Sequence, residues 1–120
     1  MRLVGIDPGK HIGMSFWSDG EFVDGIEASS IPDMRSRLDM WSPSVVVVED
    51  FRGGYAHTNH RDPLMVLGAV LQWCDIRGVP YKIQSPSILK FRLPQVAGLS
   101  NNRHIRSASA HVLHYLKTQS

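Results

Sequence analysis

Two acids in this chain each stand directly after an apolar run. Asp7 ends residues 2–7 (RLVGID), and Glu49 follows Val45-Val46-Val47-Val48. Short runs of this kind, bounded by turn residues, read as buried strands. Four consecutive valines favour a strand covered on both faces, as at the centre of a parallel sheet. If the two strands are parallel neighbours, their carboxylates meet at one rim of the sheet, the usual ligand position in α/β folds. Two nearby carboxylates repel, and each ionised partner raises the pKa of the other. A divalent cation that prefers hard oxygen ligands, Mg²⁺ or Mn²⁺, relieves that repulsion. Such an ion can activate water and stabilise the charge that develops on a phosphodiester under attack. The alternative is structural: Asp7 caps a turn and Glu49 merely ends a strand.

A second pattern lies near the C-terminus. His104, Ser107, His111 and His114 follow one another at spacings of 3, 4 and 3, so on a helix they form a polar stripe. It runs beside an apolar stripe of Ile105, Ala108, Val112 and Leu116, and reads either as a solvated or core-edge face or as part of a site. His104, in the first turn, is placed to face the sheet rim. Charge is also unevenly spread. The net charge is only +2, yet all 11 acids lie in residues 1–75, while residues 76–120 hold none and carry Arg77, Lys82, Lys90, Arg92, Arg103, Arg106 and Lys117. A basic segment attracts polyanions and steers their approach. A solvated basic surface is the plainer reading, and charge alone does not identify a nucleic-acid-binding protein.

The elements that must position these residues can be read along the chain. Asp7-Pro8-Gly9 is a tight turn after the first strand, residues 11–18 resume a strand pattern, and Asp19-Gly20 suits a hairpin into a third strand at 21–28. Ser30 to Trp41 reads as a helix, with Pro32 and Asp33 in its first turn. After the valine strand, residues 51–61 form a Gly-rich polar loop. Asp62-Pro63 opens a helix to about Arg77, in which Gly68 would permit close packing, and Gly78 ends it. Val79 to Ile83 is a fifth strand. Ser85-Pro86 starts a short helix ending before Pro94, residues 95–100 are a loop, and Asn101 or Asn102 caps a last helix to about Lys117. The order β-β-β-α-β-α-β-α-α implies an α/β fold: a five-stranded mixed sheet with helices on both faces.

Length and composition bound the answer. The 120 residues suit one domain, 1–120, with one core. No apolar run approaches the ~20 residues of a membrane span, and the opening MRLVGIDPGK does not read as a secretory signal. The single cysteine, Cys74, excludes an internal disulfide, fits a reducing compartment, and sits among apolar residues as a buried thiol would. A cytoplasmic protein is expected.

Taken in order, IDPGK-HIG-S, VVVVED, SPSILK and the H-x-x-S of the last helix resemble the landmarks of the RuvC-type Holliday-junction resolvases, in the ribonuclease-H-like superfamily. The likeness runs from Val4 to about Leu116 and is greatest to the small phage-type members, for which the compartment would be the host cytoplasm. It implies a metal-dependent endonuclease, using Mg²⁺ or Mn²⁺, that resolves four-way junctions or other branched DNA in recombination, repair or phage DNA processing. It implies catalytic positions at Asp7, Glu49, His104 and Ser107, with Asp7, Glu49 and His104 as metal ligands. Lys90 would hold DNA phosphate near the metal. Phe51, or else Tyr55, would wedge into the junction, although Phe51 also suits a strand-end core position. Arg52, Lys82, Arg92, Arg103 and Arg106 would make further phosphate contacts, which position DNA without reading its sequence. Paired nicks need two active sites, so a homodimer is implied, with the helix at 62–77 as its expected face.

One landmark departs from the family. Ser107 stands where a carboxylate is expected, and no acid follows Asp75 to replace it. Asp50 would point away from Glu49 if the strand continued. A deliberately inactivated variant, a naturally weakened enzyme, or a site run by Asp7, Glu49 and His104 would each fit. A junction-binding module without efficient catalysis, or a nuclease for flaps, forks or RNA–DNA hybrids, stays open. An actin-like phosphate-binding reading of the Asp-Pro-Gly turn is less favoured, because those folds need two such domains and 120 residues suit one.

Overall fold

The computed structural model describes residues 1–9, 11–50, 61–86 and 102–119. Within these, the chain runs β1 (Arg2–Asp7), β2 (Ile12–Ser18), β3 (Glu21–Ala28), α1 (Ile31–Trp41), β4 (Val45–Glu49), α2 (Arg61–Arg77), β5 (Tyr81–Gln84) and α3 (Arg103–Gln119). The five strands form one sheet in the order β3-β2-β1-β4-β5. β1, β2 and β3 are an antiparallel meander, while β4 is parallel to both β1 and β5. This is the mixed α/β sheet expected from the sequence. The Gly-rich loop at 51–61 lies almost wholly outside the described residues, as does the expected short helix after Ser85; the 95–100 loop lies outside them entirely.

Strand alternation sorts the side chains onto two faces. Val4, Ile6, Met14, Phe16, Val46 and Val48 face α1 and α2, and pack with Met34, Leu38, Val66, Val70 and Trp73 in the larger core. Leu3 and Trp17 face the other way, onto Val112 of α3, with Val45 packed against them. β4 has a neighbour on each side and helices over each face, so Val46, Val47 and Val48 are all fully buried.

The caps explain where the helices begin and end. Ser30 Oγ accepts from the Asp33 backbone N–H at 3.1 Å, closing the first turn of α1. Gly78, at φ 68°, turns the chain out of α2, and the Val79 N–H reaches back to the Cys74 carbonyl at 2.9 Å. That bond holds Val79 at the helix end, so β5 starts two residues later than expected and extends to Gln84. Gly68 also departs from expectation. Among the described residues nothing lies within 4 Å of where its Cβ would be, so it serves no close packing among them. Cys74 is buried, and desolvation, followed by the charge of Asp75, pushes its thiol up to about 12, so it is inert as a nucleophile.

Candidate active site

β1 and β4 run parallel with Ile6 opposite Val48, so the next residues, Asp7 and Glu49, end adjacent strands at the same rim. They share strand parity with Leu3 and Val45 and therefore face α3. α3 is started by Asn102, whose Oδ1 accepts from the backbone N–H groups of His104 at 2.9 Å and Ile105 at 3.1 Å. With its start fixed, the helix presents His104, Ser107 and His111 on one side, at i, i+3 and i+7.

That side meets the sheet directly because two strand positions opposite it are glycine. A Cβ on Gly13 would overlap the His104 carbonyl and lie 2.8 Å from His104 Cβ; one on Gly5 would overlap the Ala108 carbonyl and lie 2.7 Å from Val112 Cγ2. The α3 backbone rests in the trough these glycines leave. The polar stripe is thus not a lateral face. Ser107 and His111 are buried, His104 is partly buried, and only His114 is exposed.

The contacts form a chain across the rim. His104 Nδ1 lies 3.5 Å from Asp7 Oδ2. The Ser107 hydroxyl donates to Glu49 Oε2 at 3.3 Å and also supports the ionised form of Asp7. His111 Nε2 lies 2.7 Å from the same Glu49 oxygen, and its Nδ1 lies 3.0 Å from Gln84 Oε1. The His11 ring packs near that of His104, with centroids 5.2 Å apart. Burial, and then the charge of Glu49, push the Asp7 carboxyl from 3.8 up to about 7, against the opposing pull of Ser107 and Arg103.

Asp7 and Glu49 are therefore brought together, Ser107 joins them through hydrogen bonds, and His104 lies against Asp7 and the His11 ring. Among the described residues, no three His, Cys, Asp or Glu side chains gather as a ready-made metal cage. Two carboxylates are nevertheless a fitting donor set for Mg²⁺, which commonly uses one or two of them and completes its shell with water and substrate phosphate. Lys82 lies on β5 in register with Val47, and is exposed, as is Arg103; Arg106 is partly buried in the first turns of α3. Asp50 follows the end of β4, its backbone N–H bonded to the Gln84 carbonyl at 2.7 Å. Phe51, Arg52, Tyr55, Lys90 and Arg92 lie outside the described residues. The sequence reading gave no role in the site to His111 or Gln84. The available signal was position: His111 is seven residues from His104 and four from Ser107, on one helical face, and Gln84 closes β5 as Glu49 closes β4.

No protein-family model and no curated protein matches the sequence. Solved structures do match its fold. Thermus thermophilus RuvC superposes with a TM-score of 0.71 at 20% identity, covering 99% of this chain and 97% of that one. The same protein in complex with a Holliday junction substrate gives 0.77 at 20% identity, with 99% and 95% covered. The fowlpox virus Holliday junction resolvase gives 0.74 at 9% identity, with 98% and 99% covered. The fold is that of the RuvC-type resolvases. The α/β fold expected from the sequence, a five-stranded mixed sheet with helices on both faces, is thus shown by the described residues. No helix among the described residues is long and apolar enough to cross a membrane.

Proposed function

We propose that this chain is a divalent-metal-dependent endonuclease that resolves branched DNA, chiefly four-way junctions, by hydrolysing phosphodiester bonds. The observation that carries this reading is the pair Asp7 and Glu49, delivered to one rim by adjacent parallel strands and held in a partly buried site. The RuvC fold and the junction bound to the Thermus protein support the choice of substrate. Asp7 and Glu49 would hold Mg²⁺ or Mn²⁺, with His104 beside Asp7. When bound, the ion supplies an activated water and charge stabilisation at the phosphate. The chain's own residues hold the carboxylates apart from bulk water and orient them. Arg103, Arg106 and Lys82 contribute to phosphate binding on the α3 side. We take the working form to be a homodimer whose contact includes α2, where Leu64, Met65 and Ile76 are exposed.

A panel of junction, flap, duplex and RNA–DNA hybrid, incubated in Mg²⁺ and in Mn²⁺, tests the reading. Paired nicks on the junction are expected. Equal cleavage of linear duplex, or none of any substrate, would sink it. Junction affinity should fall steeply between about 50 and 200 mM salt, by roughly tenfold for every two phosphates that the basic surface neutralises. A flat salt response would remove that surface from the account.

Ser107 favours a second reading, a junction-binding module with weak catalysis. Its hydroxyl donates to Glu49, whereas a carboxylate there would accept a metal. Ser107→Asp is expected to raise the junction nicking rate in Mn²⁺ by about tenfold or more, because the added ligand strengthens binding of a second ion. Equal rates for both proteins, measured on one radiolabelled junction, would show that Ser107 costs nothing.

A further inference from the structure

We propose that His111, backed by Gln84, is a positioning residue that fixes the Glu49 carboxylate for ion binding. The proposal rests on Asp7 and Glu49 being the ion-binding pair.

His111 is fully buried on the side of α3 that also brings Ser107 to Glu49, and Gln84 is nearly as buried on the edge strand β5. A buried imidazole is costly unless both ring nitrogens are hydrogen-bonded. Here both are: Nδ1 to Gln84 and Nε2 to Glu49. The Glu49 carboxylate can only accept, so Nε2 is the donor. Nδ1 then accepts from the Gln84 amide when the ring is neutral, or donates to its oxygen when the ring is charged; the bond to Glu49 is the same in both cases.

The geometry is directional. Glu49 and Gln84 are register partners on β4 and β5, and His111 bridges them from α3, so three elements meet at one imidazole. Among the described residues, both side-chain bonds to Glu49 fall on Oε2. The His111 bond, at 2.7 Å, is short and in the charge-assisted range; that of Ser107, at 3.3 Å, is long. Committing Oε2 to the helix sets the rotation of the carboxylate and leaves Oε1 to turn toward Asp7 and an ion. The α3 helix thus contributes donors to Glu49 at positions 107 and 111, and His111 is the stronger of the two.

Titrating the full-length protein with Mn²⁺ and following the electron paramagnetic resonance of the free aqueous ion measures this without any cleavage assay. His111→Gln keeps a donor near the reach of Nε2 and should retain most of the affinity. His111→Asn, whose amide reaches only the Nδ1 position, and His111→Ala should lose roughly 10–100-fold. Gln84→Met, which removes the backing group without opening the core, should lose affinity to a smaller extent. Thermal unfolding of each ion-free protein shows which variants are folded. If His111→Ala does not fold, the contrast between Gln and Asn and the effect of Gln84→Met decide the matter. Folded Gln and Asn variants that bind Mn²⁺ equally, or a Gln84→Met that binds as the natural chain does, would overturn the proposal. A natural chain that fails to bind Mn²⁺ would overturn both the proposal and the ion-binding reading beneath it.

Discussion

At pH 8 without divalent ions, Asp7→Asn is expected to unfold at a higher temperature than the natural chain and, on the proposed function, to nick a junction in Mg²⁺ or Mn²⁺ at least about 100-fold more slowly. The loss of rate follows because merely removing a group that supports a metal ligand costs roughly 10–100-fold, and Asp7 is proposed as a ligand itself. The gain in stability follows from burial. The folded protein holds the Asp7 carboxyl up to about 7, whereas the unfolded chain releases that proton near 3.8. Between those values the folded state binds more protons than the unfolded state, so stability falls as pH rises, and the deficit is complete above pH 7. Below 3.8 both states are protonated and the penalty vanishes. The side chain is 15% exposed and Ser107 and Arg103 already support its charge, so the neutral amide should gain about 1–3 kcal/mol at pH 8. That is roughly 3–10 °C in Tm for a chain of this size. The advantage should shrink toward zero at pH 4. Mn²⁺ at about 1,000 times Kd should reverse the ranking, because an ion bound by the folded state alone then stabilises the natural chain by about 4.1 kcal/mol. Differential scanning calorimetry at pH 4, 6 and 8, with and without Mn²⁺, reads all of this. An Asp7→Asn protein less stable than the natural chain at pH 8 would mean that Asp7 serves structure before chemistry.

Much of this site could be read in the sequence because strand geometry is simple. An acid directly after an apolar strand stands at the strand's end whatever the rest of the fold does, and two such strands gave Asp7 and Glu49. The valine run identified β4 as central, since only a strand covered on both faces tolerates four in a row. Asp19-Gly20 marked its hairpin for an equally local reason: both residues take positive φ, 51° and 83°, as a type I′ turn requires.

The helix was harder. A polar stripe beside an apolar one on α3 does not say which lies against the sheet, because the deciding residues are on other strands. Gly5 and Gly13 carry no hydrophobic signal, and their effect appears only when β1 and β2 pair and α3 is laid across them. The role of His111 was hidden for the same reason. In the sequence it is one of four polar residues; in the fold it is the buried link between Glu49 and Gln84. Gln84 was hidden further by the displaced start of β5, which rests on a backbone bond between Val79 and Cys74 that no side-chain pattern records.

The trough makes the sharpest stability test, because its sign runs against propensity. Valine is favoured over glycine in strands, and Gly5 lies in the middle of β1. Gly5→Val should nevertheless destabilise the protein by about 3 kcal/mol or more. Even a methyl group would strike the Ala108 carbonyl, Val112 Cγ2 at 2.7 Å and Ser15 Oγ at 3.0 Å, and the first of these is backbone that cannot rotate away. Relief requires α3 to lift from the sheet. Lifting it separates Leu3 and Trp17 from Val112, and draws Ser107 and His111 away from Glu49. Against a total stability of about 5–15 kcal/mol, a loss of this size leaves a folded but weakened protein or none. Gly68→Ala is the control. It sits on exposed helix with open space around it among the described residues, and should stabilise by about 0.5–1 kcal/mol. Urea unfolding of the two variants beside the natural chain gives both signs in one experiment. A neutral Gly5→Val would mean that α3 is not seated on β1, and with it would go the geometry that joins the helix to Glu49.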